Sequence, residues 1–178
     1  DGIAEHEQCP YDKDCSSLPV QVVGLTDVRS MGLGMQHSCA VAGPEPRTVW
    51  CWGDNAFGQC GAQTVDFLRT NEPHLLGGLS SPTQVAAGEH HSCALEPDGS
   101  LWCWGSNQSG QFGVGQIGVG SATPVRSDVE EVAKLVAAAH ANYVVKEDST
   151  AWSWGLYHGD QSLITAFARE LIGECAVE

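Results

Sequence analysis

Basic residues are scarce. Lysine and arginine together number 8 against 22 aspartates and glutamates, giving a formal charge of −14. Nucleic-acid binding needs a basic footprint on the phosphate backbone, so DNA and RNA are excluded as partners. No run of 18 apolar residues occurs, which leaves no candidate membrane-spanning helix. Catalytic signatures are missing too. The chain has no Gly-x-Ser-x-Gly elbow and no His-Glu-x-x-His, and no pair of carboxylates is singled out by its setting. Neither an enzymatic activity nor a cofactor is expected.

Tryptophan, glycine and cysteine are plentiful and ordered. All 6 tryptophans fall into Trp-x-Trp pairs, Trp50/Trp52, Trp102/Trp104 and Trp152/Trp154, which follow one another at 52 and then 50 residues. The clearest unit runs from His91 to Gly113. Short strand-like runs at Ser92 to Leu95 and Ser100 to Trp104 flank Pro97-Asp98-Gly99, a three-residue hairpin loop with glycine last. Centring the turn on Asp98 sets Cys93 opposite Cys103, within disulfide range. The same pattern recurs from His37 to Gly61, with a loop two residues longer, and sets Cys39 opposite Cys51. In the third copy Cys93 maps to Tyr143 and Cys103 to Ser153. Both cysteines are lost together, as a bonded pair should be. Two intra-hairpin disulfides are therefore expected, and with 8 cysteines in the chain they indicate an oxidising compartment: secreted, periplasmic or cell-surface.

The ordered motifs are Pro19-Val20, Gly24-Leu25, Gly34, His37-Ser38 and Trp52-Gly53-Asp54-Asn55, then Pro73, Gly78-Leu79, Val85, Gly88, His91-Ser92, Asp98-Gly99 and Trp104-Gly105-Ser106-Asn107. This series resembles the repeats of the regulator of chromosome condensation family over about residues 19 to 155. The resemblance implies an all-β fold of propeller-type blades of antiparallel strands, about three of them here, where seven usually close a ring. It divides the chain into an acidic lead segment (1–18), a first unit (19–72), a second (73–123), and a degenerate third unit with a C-terminal cap (124–178). Phase within the repeat makes the lead segment the outgoing loop of an upstream unit, and Asp1-Gly2 reads as a processed or cut terminus.

Several residues carry two readings. Cys9 and Cys15 can close a small third disulfide loop. Asp12 and Asp14 beside them lack the rest of a calcium-loop pattern. Cys60 is either a free core thiol or the partner of Cys175. Gly113-x-Gly115-x-x-Gly118 matches a dinucleotide fingerprint in form only, because no parallel strand precedes it and no helix follows. Asn107-Gln108-Ser109 is a glycosylation sequon, yet Asn107, like Asn55, holds a corner position where its amide is expected to bond nearby backbone. His37 and His91 repeat at one place in two units. With the neighbouring cysteines paired to each other, bonding between adjacent strands suits these two histidines better than metal ligation, and metal ligation is disfavoured at His90 and His140 as well. The tryptophan pairs are expected to pack between blades. Residues 129 to 139 favour helix by propensity, but the repeat requires a strand at 134 to 137. Ile164, Phe167, Ala168 and Leu171 fall at helical spacing before Gly173, which predicts a short C-terminal capping helix.

Half a ring leaves bare sheet edges. Three explanations compete: the chain is a fragment, a second copy closes the ring as a homodimer, or another protein covers the open ends. The expected function is non-enzymatic: a protein-binding or structural module outside the cytoplasm, such as a subunit of a larger extracellular assembly. A secreted enzyme inhibitor on a similar propeller and a guanine-nucleotide exchange factor are the alternatives. Acidity and disulfides disfavour the second.

Overall fold

The computed structural model describes residues 18–61 and 72–156 in full, and the backbone alone of 7–8, 14–15, 69–71 and 164–170. Two short strands, β1 (Glu7–Gln8) and β2 (Asp14–Cys15), pair antiparallel. The remaining strands form three four-stranded sheets. The first contains β3 (Ser30–Leu33), β4 (His37–Ala42), β5 (Thr48–Asp54) and β6 (Arg69–Leu76). The second contains β7 (Gln84–Ala87), β8 (His91–Leu95), β9 (Leu101–Asn107) and β10 (Gly118–Arg126). The third contains β11 (Val132–Ala138), β12 (Ala141–Lys146), β13 (Ala151–Leu156) and β14 (Ile164–Glu170). Each sheet is an antiparallel meander in chain order. The first strands lie side by side, β3 against β7 and β7 against β11, so the sheets stack like blades round an axis.

The hairpin chemistry acts as the residues dictate. Leu95 pairs with Leu101 and Cys93 with Cys103. Glu96 N–H bonds Ser100 O at 3.0 Å, and Gly99 closes the turn at φ 78°. The Asp98 carboxylate accepts Ser100 N–H at 3.0 Å and its hydroxyl at 2.6 Å, and those bonds hold its pKa below the usual value. In the first blade Cys39 pairs with Cys51. Both facing pairs are disulfide-bonded, with Cα atoms 4.1 Å apart. Gly53, Gly105 and Gly155, each following a Trp-x-Trp, sit at φ 107°, 93° and 103°. A side chain is strained in that region, which accounts for the invariant Trp-Gly step inside this chain.

The core lies in the seams. Cys39, Val41, Val49, Cys51 and Leu76 of the first blade meet Val85, Ala94 and Trp104 of the second. Cys93, Leu95, Leu101 and Cys103 of the second meet Leu135, Val144 and Trp154 of the third. Because β8 is covered by both neighbours, all five of its residues are buried. Its sequence, His-Ser-Cys-Ala-Leu, accordingly shows no polar alternation.

Two expectations are corrected or resolved here. The segment predicted as a capping helix is strand β14, paired with β13. A helix would leave the outer hydrogen-bonding row of β13 unpaired, and Ile164, Thr165 and Phe167 suit a strand equally well. Residues 132–138 form a strand against their helical propensity, as the repeat requires. The sheets span 30–76, 84–126 and 132–170, so the repeat boundaries at Pro73 and Pro124 fall inside the fourth strands β6 and β10. Proline is tolerated on such outer strands, where one row of N–H groups needs no partner.

Candidate interaction surface

Each seam is locked by the same polar set, built from residues that recur in the sequence. At the first seam the Trp104 indole N–H donates to Gln59 O at 2.8 Å, and the Ser92 hydroxyl donates to the same carbonyl at 3.1 Å. His37 Nε2 meets Ser92 Oγ at 2.8 Å. Since Ser92 gives its proton to Gln59, His37 must be the donor, with its proton on Nε2. At the second seam Trp154 donates to Gln111 O at 2.7 Å, the Asn142 amide donates to Gln111 O at 2.8 Å, and His91 Nε2 meets Asn142 Oδ1 at 3.1 Å. The inner strands add a further bond pair. Gln84 clamps both Leu135 O and Leu135 N, at 2.9 and 3.0 Å, and Ser30 Oγ takes the matching place against Val85 N at 3.2 Å.

The corners present these carbonyls. Asn55 Oδ1 accepts Cys60 N–H at 2.8 Å, and Asn107 Oδ1 accepts Phe112 N–H at 2.9 Å. The side chains of Gln59 and Gln111 accept from Phe57 N–H and Ser109 N–H, at 2.8 and 2.9 Å. Asn107 is buried, and its amide nitrogen donates to Gln116 O at 3.1 Å, so its side chain holds the corner. Cys60 carries a free buried thiol among the described residues, pushed up to about 12 by burial and then by Asp54. Cys9 and Cys175, and the side chain of Cys15, lie outside the described residues.

The tryptophans divide the work. Trp104 and Trp154 are fully buried in the seams. Trp50, Trp102 and Trp152 are half-buried, and each indole N–H donates to the hydroxyl two residues earlier, Thr48, Ser100 and Thr150. His37 and Ser92 have the spacing of a base and a nucleophile, but both are sealed and the serine proton is committed to Gln59. Burial pushes His37 and His91 down to about 4. Their Nδ1 atoms have no hydrogen-bond partner, so protonation there would bury an unpaired N–H. Among the described residues no group of three His, Cys, Asp or Glu could hold a metal ion, and none of them forms a helix long and apolar enough to cross a membrane.

What remains for a ligand is the surface at the corners. A cleft of about 540 Å³ opens between the first corner and the β9–β10 connection, lined by Phe57, Gln108, Ile117, Val119 and Ala122. Phe57, Ile117 and Val119 are 40%, 57% and 97% exposed. Phe57 stacks on His90 at 4.5 Å, and Glu89 bridges His90 and His140 at 3.3 and 3.0 Å. Sequence reasoning singled out His90 and His140 but missed Phe57, Glu89, Ile117 and Val119. Only the seam geometry brings them together.

Three stacked four-stranded meanders locked by repeated seam bonds define a β-propeller arc. Models of the regulator of chromosome condensation (RCC1) repeat match residues 48–95 and 98–143, and a second model of that repeat matches 83–111. The chain belongs to this repeat family. It is 35% identical to human probable E3 ubiquitin-protein ligase HERC4 over 106 residues, covering 57% of this chain and 10% of that protein. It is 27% identical to Schizosaccharomyces pombe protein pim1 over 157 residues, covering 78% of this chain and 29% of that one. The fold matches yeast RCC1 (Prp20), solved bound to Kap60, with a TM-score of 0.71 at 23% identity, over 86% of this chain and 38% of that one. The chain thus spans about a third or less of the curated relatives named here.

Proposed function

We propose that this propeller arc is a non-enzymatic protein-binding module that works outside the cytoplasm as a subunit of a larger assembly. The observation that carries the binding half is the cleft at Phe57, Ile117 and Val119. These apolar side chains stand out on a corner fixed by the Asn55 and Gln59 bonds. Exposed apolar surface on a rigid frame marks a protein contact. The net charge of −14 favours a partner with a basic rim. The two buried cross-strand disulfides support the compartment.

Native mass spectrometry of the protein isolated from its source without reduction tests the assembly. Alkylation under denaturing, non-reducing conditions tests the compartment. A complex heavier than the chain is expected, with Cys39, Cys51, Cys93 and Cys103 left unlabelled. Labelling of all four would remove the extracytoplasmic reading. A lone chain from every preparation would remove the assembly. Family membership favours a second reading, guanine-nucleotide exchange, which accelerated nucleotide release from a small GTPase would reveal. The acidic surface and the bridges argue for no acceleration.

A further inference from the structure

The first two corners are built alike but carry different side chains. Phe57 N–H donates to the Gln59 side chain and Ser109 N–H donates to the Gln111 side chain, at 2.8 and 2.9 Å. Ser109 therefore stands where Phe57 stands, and a corner closes without an aromatic ring. The turn from inner strand to second strand behaves the same way. Glu89 holds the place of Met35 in the first blade and Ala139 in the third, each two residues before His37, His91 or Ala141. The repeat thus requires neither the Phe57 ring nor the Glu89 carboxylate. Burial does not claim them either, since Phe57 is 40% exposed and the Glu89 side chain 26%.

The seam brings these two singular groups together. Phe57 stacks on His90 with ring centroids 4.5 Å apart, and His90 Nε2 lies 3.3 Å from Glu89 Oε1. The carboxylate thus sits one imidazole away from the aromatic ring. Phe57 also lines the cleft, with Ile117 and Val119, and none of the lining residues is charged. A volume of about 540 Å³ admits a large apolar side chain. The stretches that form the cleft and its rim, 54–60, 88–92 and 104–122, hold Asp54 and Glu89 and no lysine or arginine. Asp54 accepts a bond from the Gln59 amide at 2.6 Å. Glu89 meets the imidazoles of His90 and His140, so no permanent cation offsets its charge there.

We infer that the cleft seats an aromatic or large aliphatic side chain of a protein partner against Phe57 and Val119, and that a lysine or arginine beside that side chain reaches Glu89. This rests on the reading of the cleft as the protein contact and adds what the partner must carry. The apolar anchor supplies the affinity, as a desolvated side chain in a pocket does at other interfaces. The rim carboxylate supplies the selectivity, because it attracts a basic neighbour and repels an acidic one. A second copy of this chain fits poorly, since it brings a like charge of −14.

An array of short synthetic peptides, varied at a central residue and its neighbours, probes the full chain directly. The peptides that bind should combine tryptophan, phenylalanine or leucine at the centre with lysine or arginine beside it. Isothermal titration then compares the tightest of them with a copy carrying glutamate in place of the basic residue. F57A and V119S should each weaken the basic peptide on the order of tenfold. Val119 is 97% exposed, so V119S tests the cleft without disturbing the fold. E89Q should weaken the basic peptide several-fold and bring it close to its acidic copy, while F57A still acts on both. Equal binding of the two copies to wild type, or an E89Q protein that still prefers the basic one, would overturn the inference and leave the cleft standing as a protein contact. Binding indifferent to F57A and V119S would remove the cleft itself. If no peptide binds, the inference falls, and the cleft survives only if V119S releases the partner from the native complex. Self-association of wild type that V119S abolishes, read by sedimentation velocity, would give the cleft to a second copy and overturn the basic partner.

Discussion

His37 and His91 show how one buried ring ties stability to pH. Both are held neutral, with Nε2–H donating across a seam and Nδ1 bare. Their pKa values fall from the usual 6.5 to about 4, chiefly through burial. Below pH 6.5 the unfolded chain therefore takes up protons that the folded chain refuses. Their contribution is full above pH 6.5, declines between pH 6.5 and 4, and levels off below. Each histidine is worth about 3 kcal/mol over that interval. Urea midpoints at pH 7 and pH 4.5 should differ clearly in the wild type. The H37Q/H91Q variant should be weaker at pH 7 but much flatter with pH. Equal slopes in the two proteins would place the acid sensitivity in the carboxylates instead. The sequence signalled a structural role for these rings because they repeat at one place in two units. It could not show that the bonds run between blades, since Ser92 and Asn142, which receive them, lie 55 and 51 residues away.

At the scale of elements, the turn from inner strand to second strand pairs a glycine with a histidine. Gly88 leaves room that the His91 ring occupies, and Ala139 O stands 2.8 Å from where a Cβ would sit. G88A should destabilise the protein by about 1–3 kcal/mol through overpacking. H91A should cost a similar amount through a cavity and an unpaired Asn142 oxygen. The double variant G88A/H91A should be more stable than the two losses added together, because the ring that clashes is gone. Chemical denaturation of all four proteins closes the cycle, and strict additivity would show that the two residues are not coupled. The third blade already carries the paired change, Ala138 with Ala141. Hairpins and disulfide pairs were legible at this scale, since alternation and the joint loss of Cys93 and Cys103 at Tyr143 and Ser153 depend on local spacing alone. The last strand was not. Ile164, Phe167 and Ala168 fit a helical stripe, and only the open edge of β13 decides for β14. The apolar cleft was also hidden, because Phe57 and Val119 belong to different units and meet through packing.

For the whole molecule, the question is how much of the fold rests on its two bridges. They close separations of 12 and 10 residues. Loops of that size give about 3 kcal/mol each, against a total of roughly 5–15 kcal/mol for a domain. The two bridges together thus supply a large share of the margin. All four sulfurs are fully buried in the seams, Cys39 and Cys51 against the second blade and Cys93 and Cys103 against the third. A reductant should therefore act slowly on the native protein and quickly once urea opens it. After reduction under denaturing conditions and removal of urea, the chain should fail to regain the near-ultraviolet signal of Trp104 and Trp154. Refolding under an oxidant should restore that signal. The C39A/C51A/C93A/C103A variant should behave as the reduced chain does at every pH. If that variant instead regained the native near-ultraviolet spectrum and the wild-type urea midpoint, packing alone would hold the seams. The bridges would then lose their weight as support for an oxidising compartment.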